Sequence, residues 1–189
     1  MDLRVVKSKK AIREAFMDIR ADTPLEKVKV KDICECSLIN KSTFYAHYQD
    51  IYALSEELEE ASISHMMDGF VEKALLFSDP EAFMRGWEAA LDAEKGSFDV
   101  LFRGRRQQLP PRIERRFKAL YLAEDATPQH EALIMFVLSG LFHSDIETKF
   151  NPDCRFTADN VTAVLKTVLK DINEPETCQK YLEHNKIHA

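Results

Sequence analysis

Residues 40–48 read NKSTFYAHY, with three aromatic rings and a histidine in nine positions behind a small polar opening. Asn40 is a good helix N-cap, because its side chain can accept an orphan N–H of the first turn. At about 100° per residue, Phe44 and Tyr48 fall together as an underside, and the small Ser42 and Ala46 fall opposite. Lys41 and Tyr45 form one flank, Thr43 and His47 the other; each pair is four residues apart and so adjacent. An aromatic underside, a low ridge and polar flanks suit a helix that enters the DNA major groove, about 12 Å wide. Small ridge residues let it approach base edges, and the flanking side chains can bond phosphates on either wall. The competing readings are an amphipathic helix with a solvated flank and a catalytic His47. The catalytic reading is the weaker, since Thr43 and Tyr45 supply no orienting carboxylate.

Working outward, Val30, Ile33 and Cys34 mark a short helix before an apolar turn at Leu38 and Ile39, which completes a helix-turn-helix unit. Ala11, Ile12, Ala15, Phe16 and Ile19 predict a first helix over 7–21, broken at Asp22-Thr23-Pro24. Asp50 caps a long fourth helix whose stripe includes Ile51, Leu54, Leu58, Ala61, Met66 and Phe70 and runs to about residue 77. Asp79-Pro80 and Thr127-Pro128 repeat a cap-then-Pro start signal. A short helix over 96–102, another opened by Pro110-Pro111, and a last one capped by Thr157 and stopped by Pro175 complete the plan. No strand pattern and no internal repeat is convincing. The expectation is an all-α chain: a helix-turn-helix domain over 1–50, a larger helical bundle over 51–172, and a polar tail over 173–189.

At the level of motifs, AIREAF at 11–16, VKDIC at 30–34 and INKSTFYAHY at 39–48 resemble, in order and spacing, the DNA-binding domain of the TetR (tetracycline-repressor) family. The Ser-Thr-Phe-Tyr-x-His-Tyr form is similar to a branch common in low-GC Gram-positive bacteria. The likeness covers about residues 5–60; beyond it only the helical plan matches. It implies about nine helices, a homodimer through the last two long helices, and a two-fold double-stranded DNA operator. Carried over by position, Lys31 approaches a base or phosphate, and Lys41, Ser42, Thr43, Tyr45 and His47 make the recognition-helix contacts. Three positions depart from the pattern. Lys29 replaces the usual Ser or Thr cap of the second helix, Leu38 replaces the small turn residue and implies a different turn packing, and Ile51 replaces a phosphate-contacting Lys.

The net charge of −6 first argues against nucleic acid, but its distribution does not. Residues 1–50 hold ten Lys/Arg against eight Asp/Glu, a balance of +2, and the remaining 139 hold sixteen against twenty-four, a balance of −8. Local potential governs phosphate binding, and Arg4, Lys7, Lys9 and Lys10 cluster at the start. Cys34 and Cys36 would point roughly 200° apart on a helix, a poor metal chelate, and the four cysteines read as reduced thiols. No metal or other cofactor is expected. No run reaches the ~20 apolar residues that span a bilayer, and no signal peptide is evident, so a cytoplasmic chain is expected. No Gly-rich phosphate loop, metal-ligand spacing or nucleophile motif suggests an enzyme.

The resemblance also implies a small-molecule effector site in the larger domain. The candidates are Met66, Met67, Phe70, Phe83, Trp87, Phe98, Phe102, Phe117, Tyr121 and His143, most of which read first as core. Between 103 and 116 lie six arginines and one acid, either a solvated face or a site for an anionic effector or an acidic protein partner. The function expected is a dimeric repressor released by an effector. The alternative is a co-activator or protein-interaction module on the same scaffold with a weakened grip on DNA.

Overall fold

Residues 3–121, 127–151 and 153–169 are described in the computed structural model, and they form eight α-helices, three short 3-10 helices and no strand. The helices are α1 (Leu3–Asp22), α2 (Val30–Cys36), α3 (Lys41–His47), α4 (Ile51–Gly69), α5 (Pro80–Leu101), α6 (Leu109–Tyr121), α7 (Pro128–Phe150) and α8 (Ala158–Leu169). The fold is all-α, as the periodicity predicts. The expected polar tail over 173–189, with its stop at Pro175, lies outside the described residues.

Several caps work as the side chains suggest. Asn40 Oδ1 accepts the Thr43 N–H at 2.7 Å, Asp50 accepts that of Ala53 at 2.8 Å, and Asp79 that of Ala82 at 3.0 Å. Lys29 occupies the N-cap of α2 and makes no side-chain cap bond. At α8 the donor roles reverse: the Asn160 side chain reaches back to accept the Thr157 N–H and hydroxyl.

Three boundaries differ from expectation. The α1 helix starts at Leu3, a full turn before 7, because Arg4 to Lys10 carry no helix breaker. The α4 helix stops at Gly69, Phe70 leaves helical geometry at φ −83° and ψ 86°, and a 3-10 turn, Val71–Ala74, follows. The short helix expected over 96–102 is the end of α5, which runs through Gly96. An interior Gly costs only about 1 kcal/mol, which burial of Phe98 and Leu101 beside it offsets.

The chain divides into two units, residues 1–66 with 93–106, and 67–92 with 107–189. In the first, α1, α2 and α3 pack on one another over Ile12, Phe16, Ile33 and Phe44, each fully buried. The α4 face turned inward here keeps Leu54 and Met66 of the apolar stripe expected from the sequence but is otherwise partly polar. Leu54, Ser55, Glu59, Ser62 and Ile63 are buried, whereas Leu58 is half-buried and Ala61 exposed. The polar members are tolerated because each is hydrogen-bonded. Glu59 accepts from the Ser55 hydroxyl at 2.6 Å and from the Arg105 guanidinium at 2.7 Å. Ser62 donates to Glu94 at 2.6 Å, and His65 Nδ1 bonds the other oxygen of that carboxylate. Arg20, fully buried, donates to the carbonyls of Thr23, Leu101 and Arg103 at 3.0, 3.4 and 2.8 Å. Its charge thus sits at the C-terminus of α5, where the helix dipole favours a cation.

In the second unit α6 packs on α7, and α7 on α8. Its centre is aromatic: Phe70, Phe83, Trp87, Phe117 and Phe142 pack ring to ring, with centroids 4.8–6.0 Å apart and mostly tilted or edge-to-face. Tyr121 stacks on Phe117, and its hydroxyl donates to the Lys73 carbonyl.

Candidate nucleic-acid interface

The underside of α3 docks as its spacing predicts. Phe44 is fully buried and Tyr48 is 5% exposed, with ring centroids 5.9 Å apart. The Tyr48 hydroxyl donates to Glu57 Oε1 at 2.8 Å, and the same carboxylate takes Lys9 at 2.7 Å and Arg13 at 2.6 Å. Lys9 Nζ also lies 5.5 Å from the centre of the Tyr48 ring. One carboxylate on α4 therefore ties α1 to the end of α3. Burial pushes the Glu57 carboxyl up, but the bonds from Lys9, Arg13 and Tyr48 outweigh it and hold the pKa at about 2. Burial, with Glu57 beside it, lifts the Tyr48 phenol to about 12 despite the Arg13 bond. Glu57, Arg13 and this role of Lys9 escape a sequence reading, because charged residues at helical spacing read as solvated faces.

The opposite face of α3 is open. Lys41, Ser42, Tyr45 and Ala46 are exposed, Tyr45 by 56% with its ring edge-on to Phe44. Ser42 and Thr43 point their hydroxyls at their own cap, donating to Asn40 Oδ1 at 2.7 and 2.8 Å. Held so, these oxygens present lone pairs outward, which suits acceptance from a base amino group better than donation to phosphate. His47 is half-buried, and its Nε2 bonds the Ser8 hydroxyl of α1 at 2.8 Å. Lys31 is exposed on α2, with Glu35 at 3.6 Å, a loose i,i+4 pair that a phosphate can displace.

The turn before α3 is unlike the one expected. Ile39 N–H bonds the Cys34 carbonyl at 3.1 Å, spanning the end of α2 as a Schellman closure does. This closure puts Leu38 in the left-handed region at φ 56°, the one non-glycine residue with positive φ among those described. The conformation costs a branched side chain about 1–2 kcal/mol. Leu38 does not pack into the turn; it is 92% exposed.

The effector candidates do not form one group. Met66, Phe98 and Phe102 belong to the first unit, where Phe98 and Phe102 pack edge-to-face at 5.9 Å. Met67, Phe70, Phe83, Trp87, Phe117 and Tyr121 are buried in the second. His143 is exposed, and its Nδ1 donates to the Ser139 carbonyl at 2.8 Å. The Trp87 indole N–H is buried without a hydrogen-bond partner among the described residues. The six arginines of 103–116 divide between the units; Arg105 and Arg106 are in ion pairs with Glu59 and Asp99.

A feature the residue types did not single out lies on α7 and α8. Phe136 (72% exposed), Val164 (63%) and Phe156 border a groove of about 430 Å³ floored by Val137, Leu141 and Leu165. Among the described residues no helix is long and apolar enough to cross a membrane, and no group of three or more His, Cys, Asp or Glu is placed to hold a metal ion.

No protein-family model matches the chain. It is similar to an uncharacterized HTH-type transcriptional regulator, YxbF, of Bacillus subtilis, at 30% identity over 126 residues. The match covers 64% of this chain and 32% of that protein, so the chain spans about a third of the length of the curated relative it matches. Among solved structures it is similar to a TetR family transcriptional regulator, PfmR, of Thermus thermophilus. The TM-score is 0.48 at 18% identity, over 86% of this chain and 99% of that one.

Proposed function

We propose that the chain is a sequence-specific DNA-binding transcriptional regulator rather than an enzyme. The observation that carries this reading is α3 itself. Its aromatic underside is locked onto α1 and α4, and its outer face offers Lys41, Ser42, Tyr45 and Ala46 to a groove. Lys31 on α2, Thr43, and His47 through Nδ1 complete the set of contacts. The 30% identity to a regulator of the HTH type supports the same reading.

The regulator acts as a homodimer through α7 and α8. The apolar groove there, bordered by exposed Phe136 and Val164, supports that assembly, because two recognition helices then read a two-fold site. Repression relieved by a small effector at the aromatic centre of the second unit completes the proposal. The Trp87 N–H, buried with no partner among the described residues, supports that site, because a ligand acceptor would satisfy a donor whose isolation costs about 1–3 kcal/mol.

Selection of binders from random duplex DNA by the full chain tests the reading. The enriched sequences are expected to be two-fold symmetric, and log K to fall linearly with log salt concentration, at about −0.9 per phosphate contacted. An unenriched pool would refute DNA recognition and favour the protein-interaction alternative.

A further inference from the structure

We infer that Leu38 is a specificity-determining residue that reads a thymine methyl group at the edge of the operator half-site. The inference rests on the DNA-binding reading above.

A singly exposed leucine means little by itself. What sets this one apart is where it stands and in what conformation. The turn is closed by main-chain bonds from Leu38 N–H to Glu35 and from Ile39 N–H to Cys34, and by the Ser37 hydroxyl on the Ile33 carbonyl at 2.6 Å. None of these bonds uses the Leu38 side chain. A Gly or Asn at this position would make the same bonds with less strain. The head therefore gains nothing from the isobutyl group: its backbone is strained by it, and its core does not bury it. Because the closure fixes the backbone, it also fixes where the side chain projects, two residues ahead of the Asn40 cap of α3.

That location selects the ligand chemistry. The N-terminal end of a recognition helix is the end that meets base edges. In the major groove the one apolar feature on any base edge is the C5-methyl of thymine. An apolar side chain held at that end, just ahead of the polar Lys41 and Ser42 in the chain, can gain contact area from a methyl and from no polar group presented there. Burial of about one methyl-sized group corresponds to a roughly three- to fivefold change in affinity.

The test is a cycle between protein and DNA. In the best duplex selected by the wild-type chain, each thymine is replaced in turn by deoxyuridine, which lacks only the methyl. At one symmetric pair of positions wild type is expected to lose roughly three- to fivefold per half-site. Leu38→Gly, and as a second variant Leu38→Asn, are expected to bind the thymine duplex weaker by a similar factor and to show no further loss on deoxyuridine there. Thermal melts should show both variants at least as stable as wild type, which separates a lost contact from a damaged head. Equal deoxyuridine penalties in wild type and both variants would overturn the inference while leaving DNA binding intact. So would wild-type affinity that is indifferent to every methyl. A wild-type chain that selects no sequence overturns this inference together with the DNA-binding reading, an outcome distinct from the other two.

Discussion

The two units close their interiors by different means. All five buried polar or charged residues among those described, Arg20, Ser55, Glu59, Ser62 and Glu94, lie in the first unit. The second is centred on rings, with Phe117 in contact with Phe70, Phe83, Trp87, Tyr121 and Phe142. Hydrogen bonds between buried charges demand particular distances and angles, so they set the orientation of α1, α4 and α5 within the head. Ring contacts are less directional and tolerate small displacements. Under the proposed function, the first kind of interior suits an element that must hold its geometry against DNA and the second suits an effector site.

The largest effect is expected where the ring cluster converges. Phe117→Ala should destabilise the second unit by about 3–5 kcal/mol, read as a lowered urea midpoint. Fluorescence of Trp87, the single tryptophan, reports the same event locally, since its ring lies 6.0 Å from that of Phe117. An unshifted Trp87 spectrum would show that the cluster is not cooperative and would weaken the contrast between the units.

The polar interior should respond differently, because its cost depends on what is left behind. Arg105→Met removes the cation paired with the Glu59 carboxylate, 1% exposed, while the Ser55 hydroxyl stays bonded to it, and should cost about 3 kcal/mol. Changing Glu59 to Met in the same chain should recover most of that loss, since a well-packed apolar pair can replace a buried ion pair. A double variant no more stable than the single one would mean that the network contributes stability and not only orientation.

These two interiors also differ in how legible they were. The rings of the second unit stand at helical spacing, and Phe70, Phe83, Trp87, Phe117 and Tyr121 can be picked out as inward-facing from residue type alone. Whether they line a site or fill a core cannot, because both use the same side chains. In the head, Phe44 and Tyr48 are equally legible, as are the caps at Asn40 and Asp50 and, in the second unit, that at Asp79. Glu57, Glu59 and Arg20 are not: an acid or a guanidinium gives no local signal of burial, and its partners stand far away in the chain, Arg13 being 44 residues before Glu57. The strained turn was half legible. Leu38 is conspicuous as a large residue where a small one is usual, but that its side chain faces solvent follows only from the Schellman closure.

A third, smaller effect separates the partly solvated part of the polar network from its dry part. Glu57 is held at about 2, below its ordinary range, so its contribution is fully present above the unfolded value near 4.5 and is lost as pH falls towards about 2. Because the carboxylate is about a third exposed, solvent screening reduces that contribution to about 1–2 kcal/mol. Glu57→Gln should therefore lower head stability at neutral pH by that amount and flatten the acid limb between about pH 5 and pH 2. An acid limb as steep in the variant as in wild type would assign the acid sensitivity to other carboxylates, Glu94 first, which its bonds to Ser62 and His65 also hold low against burial.

The smallest effect on stability, and the most informative about use, is expected at Tyr45. Its neighbour Phe44 carries the docking, and Tyr45 is 56% exposed, so loss of its hydroxyl should leave the melting temperature unchanged. Affinity for a selected operator should fall by about 1 kcal/mol, roughly fivefold, if that hydroxyl donates to a phosphate. A phosphate contact carries no base identity, so the loss should be the same on every sequence the wild type binds. Lys41→Ala should also weaken binding, and should in addition reduce the salt slope by about one unit, because it removes a cation where Tyr45→Phe removes none. A Tyr45→Phe variant that binds like wild type would remove the Tyr45 hydroxyl from the phosphate contacts and leave α3 gripping through Lys41, Thr43, His47 and the Ser42–Ala46 ridge.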